Sequence, residues 1–240
     1  MSVIQVNDTG PQGSATSFTL SFGSLPAAGH SAIISVQLNG NATVSSITDN
    51  QSGNSYSRIA GLGVASGDNE LWWCPVIVGS SGTYTATVNL SASAKYIGSI
   101  MEASALSGIV DQISTATGSP GGASPIGITM GAANVNANDL VIALMSGAYG
   151  YGSGSLGFQT PPGNNGVSGP FTSWSFYDTP NTAQMTVSLG YKLVSAIETS
   201  AAQWNFSTVS GDREQMVLVT LKGLATQVAG PTPRCLYIMP

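Results

Sequence analysis

The feature that most constrains this chain is a period of two. In TSFTLSF (16–22), Phe18, Leu20 and Phe22 alternate with small polar residues, and Tyr84, Ala86, Val88 and Leu90 do so in TYTATVNL (83–90). Successive side chains of an extended strand point to opposite faces, so each run predicts a strand with one buried and one wet face. Further strands are expected at Val3 to Val6, AIISVQL (32–38), TVSSI (43–47), ELWWCPVIV (70–78), AKYIGSIMEASAL (94–106), DLVIALMSGAYG from Asp139, FTSWSFY (171–177), AQMTVSLGYKLV (183–194), TSAAQWNFS (199–207) and REQMVLVTLKGL, ending at Leu224. No segment carries the apolar stripe of a ten-residue amphipathic helix, and IVDQI (109–113) has room for a single turn. Many strands, polar linkers and absent helices predict an all-β chain, an antiparallel β-sandwich of jelly-roll or Greek-key type.

A length of 240 residues suits one large β domain over 1–224, divisible into halves at about 1–107 and 126–224, followed by a tail, 225–240. The Gly/Pro-rich stretch SGIVDQISTATGSPGGASPI (107–126) reads as the connector between the halves. A weak echo supports two similar halves. TATVNLS (85–91) precedes AKYIGSIMEASAL, as AAQWNFS (201–207) precedes DREQMVLVTLKGL, and SAIISVQLNG and DLVIALMSGA stand at similar places upstream.

Charged residues make up 7% of the chain against roughly 25% in ordinary domains, with Gly, Ser, Thr, Asn and Ala in their place. Such a surface suits work outside the cytosol or inside an assembly, since few charges keep monomers apart. The net charge of −5 and six scattered cations exclude a basic patch for nucleic acid. The most apolar run, LVIALM (140–145), is far short of the roughly 20 residues of a membrane helix and reads as a core strand. MSVIQVNDTG lacks the basic and apolar segments of a secretory signal, so the expectation is either a signal already removed or release by another route, such as in a virus particle. Cys74 and Cys235 form no disulfide framework; Cys74 reads as a buried thiol.

The search for chemistry returns little. His30 is the sole histidine and has no flanking acid, so no nucleophile–base pair is legible, and no metal or cofactor set is expected. Glu102 faces inward by alternation with Ile100, yet shows no partner for glycoside hydrolysis. DNQSGNSYSR (49–58) has Asp49 as its one carboxylate, too few for calcium, and reads as a hairpin corner built on Gly53 with Tyr56 resuming the strand. Aromatics remain. In Trp72 and Trp73, neighbours on one strand, a single ring enters the same core and the other meets solvent, a loop or a partner. Pro75 next to them argues for an edge position or a bulge. The glycine-rich GAYGYGSGSLGFQTPPGNNGVSG carries Tyr149, Tyr151 and Phe158 among small residues, as a loop suited to stacking on sugars or on a subunit. The ending GPTPRCLYIMP places Leu236, Tyr237 and Ile238 where a free tail would be polar, so it is expected to dock on the domain or on a neighbouring subunit.

VSSITDNQSGNSYSRI, ELWWCPVIV, GTYTATVNLSASAKYIGSIMEASAL and the following VDQ resemble a recurrent β-sandwich module of tailed-phage virion proteins and bacterial surface proteins, over about residues 31–224. The resemblance implies a non-enzymatic part: a capsid decoration or head-fibre component bound to other virion proteins and to copies of itself. The alternative it implies is a carbohydrate-binding or adhesin module, extracellular or at the cell surface. A glycan-cleaving enzyme is the third reading, lacking its carboxylate pair.

Overall fold

A computed structural model describes residues 1–64, 67–79, 82–117, 126–134, 137–148, 157–159, 171–177, 185–205 and 214–224. In chain order its strands are Ser2–Asp8 (β1), Gln12–Ser21 (β2), Ser31–Asn39 (β3), Val44–Asp49 (β4), Ser57–Val64 (β5), Gly67–Cys74 (β6) and Thr85–Ser104 (β7). They continue with Leu106–Thr117 (β8), Ile126–Thr129 (β9), Leu140–Ala148 (β10), Gly157–Gln159 (β11), Thr172–Tyr177 (β12), Met185–Leu193 (β13), Ala201–Asn205 (β14) and Glu214–Gly223 (β15). All the pairings are antiparallel. The expected β-sandwich is present.

The twenty residues of β7 run through two layers. From Thr85 to Leu90 the strand lies between β2 and β4, and from Lys95 onward between β1 and β3, completing the order β1-β7-β3-β6-β5. The second part of the chain forms a large sheet, β12-β13-β10-β15-β8, and a small one, β11-β14-β9. With the two parts of β7 counted as a seventh and an eighth strand, both halves share one order: 1-8-3-6-5 in the large sheet and 2-7-4 in the small. That is a jelly roll whose fifth strand has joined the larger sheet.

Three apolar layers separate the sheets. Phe18, Leu20, Ile34, Val36, Tyr84, Ala86 and Val88 fill the first half, while Ile128, Met145, Ala202, Trp204 and Leu218 fill the second. Between the two large sheets lie Ile33, Leu71, Met101, Leu140, Ile142, Leu144, Val187, Val217 and Val219. β10 therefore sends Leu140, Ile142 and Leu144 into the central layer and Val141, Ala143 and Met145 into the outer one, which is why LVIALM reads as an unbroken apolar run. Across the central layer β1 faces β12 and β5 faces β8, equivalent pairs in the two halves, while β15 also packs on β5 and β6 without such a counterpart.

Sequence reading and structure part at four places. The runs 83–90 and 94–106 belong to one strand, and the break falls at Ala105, held at φ 55° between β7 and β8. The first part of the connector, with IVDQI, is strand β8 and not a helical turn; at the sheet edge it keeps Ile109 and Ile113 exposed, so no clean alternation marks it. The DNQSGNSYSR corner is not a hairpin, because β4 pairs with β7 and β5 with β6, so the segment crosses from the small sheet to the large one. Pro75 follows the end of β6, an inner strand between β3 and β5, and so terminates the strand without marking an edge. Gly98 is required by packing: a Cβ there would lie 2.4 Å from Phe18, whose ring stacks on Tyr96 at 4.0 Å.

Since both large sheets close on the central layer, Ile142→Ala is expected to destabilise the whole molecule by about 2–5 kcal/mol. Urea unfolding followed by far-UV circular dichroism and tryptophan fluorescence should show one shifted transition in both signals.

Candidate functional site: a cleft at one end of the sandwich

With both faces of the large sheets covered, the outer faces of the small sheets, the strand edges and the two ends are left for recognition. At one end the chain turns from β3 to β4 and from β5 to β6, and β10 finishes there beside the start of β15. A cleft of about 290 Å³ opens at that end, lined by Gly40, Asn41, Ala42, Thr43, Gly63, Gly67 and Asp68. Two glycines are there for steric reasons. Gly40 turns the chain at φ +103°, and a Cβ on Gly67 would lie 2.7 Å from the carbonyl oxygen of Leu38.

Alternation along β6 puts Asp68, Glu70 and Trp72 on one face, and the two acids are buried, at 3% and 1% exposure. Glu70 is well supplied with donors: the Val44 amide at 2.8 Å, Trp72 Nε1 at 2.7 Å and Arg58 Nε at 3.1 Å. Asp68 is not. The Asn69 amide donates to its Oδ1 at 3.0 Å, whereas Oδ2 receives no hydrogen bond. Burial, then the neighbouring Glu70 carboxylate, push the Asp68 carboxyl up to about 7, against the smaller pull of Arg58 and the Asn69 amide. With its carboxyl raised that far, Asp68 is partly protonated near neutral pH and can donate as well as accept. Side by side on one wall, the two carboxyl groups lack the arrangement of a glycosidase pair, in which carboxylates about 5 Å or more apart flank the bond. The arrangement fits hydrogen bonding to a small polar group in the cleft.

At the opposite end the sole histidine does have an acid, supplied 72 residues later by Glu102. The carboxylate, 2% exposed, accepts from Gln5 Nε2 at 2.6 Å, lies 2.5 Å from His30 Nδ1, and takes the Ala27 amide at 3.1 Å. It therefore ties β1 and the β2–β3 loop to β7. Ser31, the hydroxyl beside His30 in sequence, donates to the Pro75 carbonyl at 2.6 Å, so the histidine–acid pair works as a clamp. Asp49 closes the nearby corner by accepting from Gln51 N, Asn54 Nδ2, Tyr56 OH and Tyr84 OH. Its lone pairs are filled by donors, and no group of three metal-ligating side chains occurs among the described residues.

The expected aromatic surface is distributed differently. Trp73 enters the central layer at 6% exposure, and Trp72 packs against the first-half core with its indole N–H on Glu70, so the pair serves two cores. Phe158 lies in β11, opposite Trp204 in backbone register, and its side chain is outside the described residues. Tyr149, Tyr151, Leu236, Tyr237 and Ile238 also lie outside them. Cys74 is buried, as expected. Sequence reading passed over the Asp68–Glu70 pair, whose one signal is the spacing D-x-E at the head of an apolar strand.

The raised Asp68 value sets a pH dependence. Unfolded, the group loses its proton near 3.8; folded, it keeps it until about 7. Its contribution to stability is thus intact below pH 4, falls as pH rises toward 7 and is constant above, a loss on the order of 2–4 kcal/mol. Asp68→Asn should abolish this loss, so the melting temperature of the variant relative to wild type should climb between pH 4 and 7 and level off beyond; a flat difference would contradict the raised Asp68 carboxyl.

Comparison of the chain with family models, with curated proteins and with solved structures gave no match.

Proposed function

We propose that the protein is a non-enzymatic structural component of a phage virion, a capsid decoration or head-fibre part that binds other virion proteins and copies of itself. The observation that carries this reading is the repeated jelly-roll order, 1-8-3-6-5 over 2-7-4, closed into one body by its large sheets. Jelly rolls recur in capsid and lectin domains, so the fold supports the reading by analogy. Composition favours the capsid side. A surface with so few charges does little to keep neighbours apart, which suits permanent packing in a particle. The second reading, a carbohydrate-binding or adhesin module, draws on the cleft, where Asn41, Thr43 and the Asp68 carboxyl offer hydrogen bonds to hydroxyl groups. It lacks a stacking platform in Trp72 and Trp73, which are packed against the two cores.

The test is co-sedimentation. Purified chain added to phage particles lacking it should bind to a fixed, saturable number of copies per particle, and native mass spectrometry should show defined oligomers. A monomer that ignores particles but is retained by a glycan array would replace the first reading by the second. In that case Asp68→Ala should reduce retention at least tenfold.

A further inference from the structure

The layer between the halves changes character along its length. Away from the cleft it is filled by Ile33, Leu71, Met101, Leu140 and Leu144. Toward the cleft the same faces of the same strands turn polar. Ser35 and Gln37 follow Ile33 on β3, Asn69 precedes Leu71 on β6, Ser99 precedes Met101 on β7, and Ser146 follows Leu144 on β10. Gln215 stands opposite Ser146 on β15, and none of the six is more than 4% exposed.

These residues form one connected group. Ser35 and Ser99 are neighbours in register on β3 and β7, as Gln37 and Asn69 are on β3 and β6. Gln37 Nε2 donates to Ser35 Oγ at 2.6 Å and to Asn69 Oδ1 at 3.1 Å. Across the layer, Asn69 Nδ2 reaches the Gln215 carbonyl oxygen at 3.5 Å, and Gln215 Nε2 donates to the Gly67 carbonyl at 2.9 Å. Three atoms of the group have no hydrogen-bond partner among the described residues: Gln37 Oε1, Gln215 Oε1 and Ser99 Oγ. Buried amide and hydroxyl groups in native proteins are bonded to protein or to ordered water. Two carbonyl oxygens that accept and one hydroxyl that can donate suit a water molecule, which makes about three hydrogen bonds when buried. The residue types leave room for it. Serines at 35, 99 and 146 stand in a gap of about 10 Å between sheets that Ile, Leu and Met fill elsewhere.

We propose that the two halves enclose an internal water site, in which an ordered water donates to Gln37 Oε1 and Gln215 Oε1 and accepts from Ser99 Oγ. The site lies behind the cleft. Gly67 lines the cleft and holds the Gln215 amide, and a Cβ on Gly67 would lie 3.4 Å from Gln215 Nε2. Water is then part of the contact between the halves, and the cleft is its route of exchange. A sodium or potassium ion, the competing occupant, would be a buried charge without a counter-charge, because Asp68 and Glu70 lie on the other face of β6. This inference does not depend on the virion reading.

The wild-type protein itself provides the first test. Nuclear magnetic resonance should show cross-peaks between a long-lived water and the side-chain amides of Gln37 and Gln215. Oxygen-17 relaxation dispersion of the solvent should count at least one fewer long-lived water in Ser99→Val, whose methyl groups fill the site and whose hydroxyl is gone. Thr19→Val, on the exposed face of β2, should leave the count unchanged. Missing cross-peaks in the wild type, an undiminished count in Ser99→Val or an equal drop in Thr19→Val would overturn the proposal. So would a saturable rise in melting temperature as sodium or potassium replaces choline at constant ionic strength, which would assign the site to a cation.

Discussion

Two large sheets with no solvent face are the constraint on which the rest depends. β3 and β10 lie at the centres of these sheets and are apolar on both sides: Ile33, Ile142 and Leu144 point into the layer between the sheets, while Ile34, Val36, Val141 and Ala143 point outward. The outward faces must be covered in turn, which is the work of the small sheets β2-β7-β4 and β11-β14-β9. One consequence is that β7 has to serve two layers, and it does so by running unbroken for twenty residues. The other is functional. Once the faces of the large sheets are consumed by packing, recognition falls to the outer faces of the small sheets and to loops, edges and ends, where the polar cleft lies.

Strands were legible in the sequence wherever one face is wet and the other dry, as in β2 and the first part of β7. Legibility failed where that contrast is missing. β8 is an edge strand with both faces partly exposed, so Ile109 and Ile113 sit among polar residues without a clean period. The exposed Ser91, Ala92 and Ser93 look like a turn, yet the strand continues because pairing partners exist on either side of them. Trp72 and Trp73 misled for the opposite reason. One core was assumed where the sheet has two, so both rings found apolar surroundings. Inward-facing Glu102 followed from alternation alone; its partner His30 did not, because that contact depends on β3 and β7 being neighbours across 72 residues. The Asp68–Glu70 pair was hidden differently: its acids look like ordinary strand-end carboxylates until the β3–β4 turn is seen to bury them.

Several of the chain's few charges lie inside. Asp68, Glu70, Glu102, Asp139 and Glu198 are buried, five of the eleven acids, and so is Lys192, whose Nζ lies 2.5 Å from Glu198 Oε1. Several of these act as clamps between a loop and a strand. Glu102 holds the β2–β3 loop, while Asp139 takes the Gly223 amide at 3.1 Å and Asn134 Nδ2 at 3.3 Å. A buried charge is tolerated when hydrogen bonds surround it, and removing one partner leaves the other uncompensated.

The central layer raises a question of specificity that its apolar residues cannot answer. Two halves of one strand order, packed with β1 on β12 and β5 on β8, approach the geometry of a two-fold dimer, in which a half could also pair with another copy of itself. What separates the correct pairing from these alternatives is polar and asymmetric. Gln215 Nε2 donates to the Gly67 carbonyl at 2.9 Å, and Tyr177 OH donates to Asp8 Oδ1 at 2.6 Å, each joining a group of one half to a different group of the other. Around Gln215 the layer turns polar, with Gln37 Nε2 bonded to Ser35 Oγ at 2.6 Å and to Asn69 Oδ1 at 3.1 Å, all within the buried interior. The two bonds between the halves add little net free energy, since each replaces a bond to water, but a mispaired half would bury the Gln215 amide without the Gly67 carbonyl at a cost of about 1–3 kcal/mol. Apolar contact thus supplies most of the attraction between the halves, and the polar groups near the cleft end fix which half meets which.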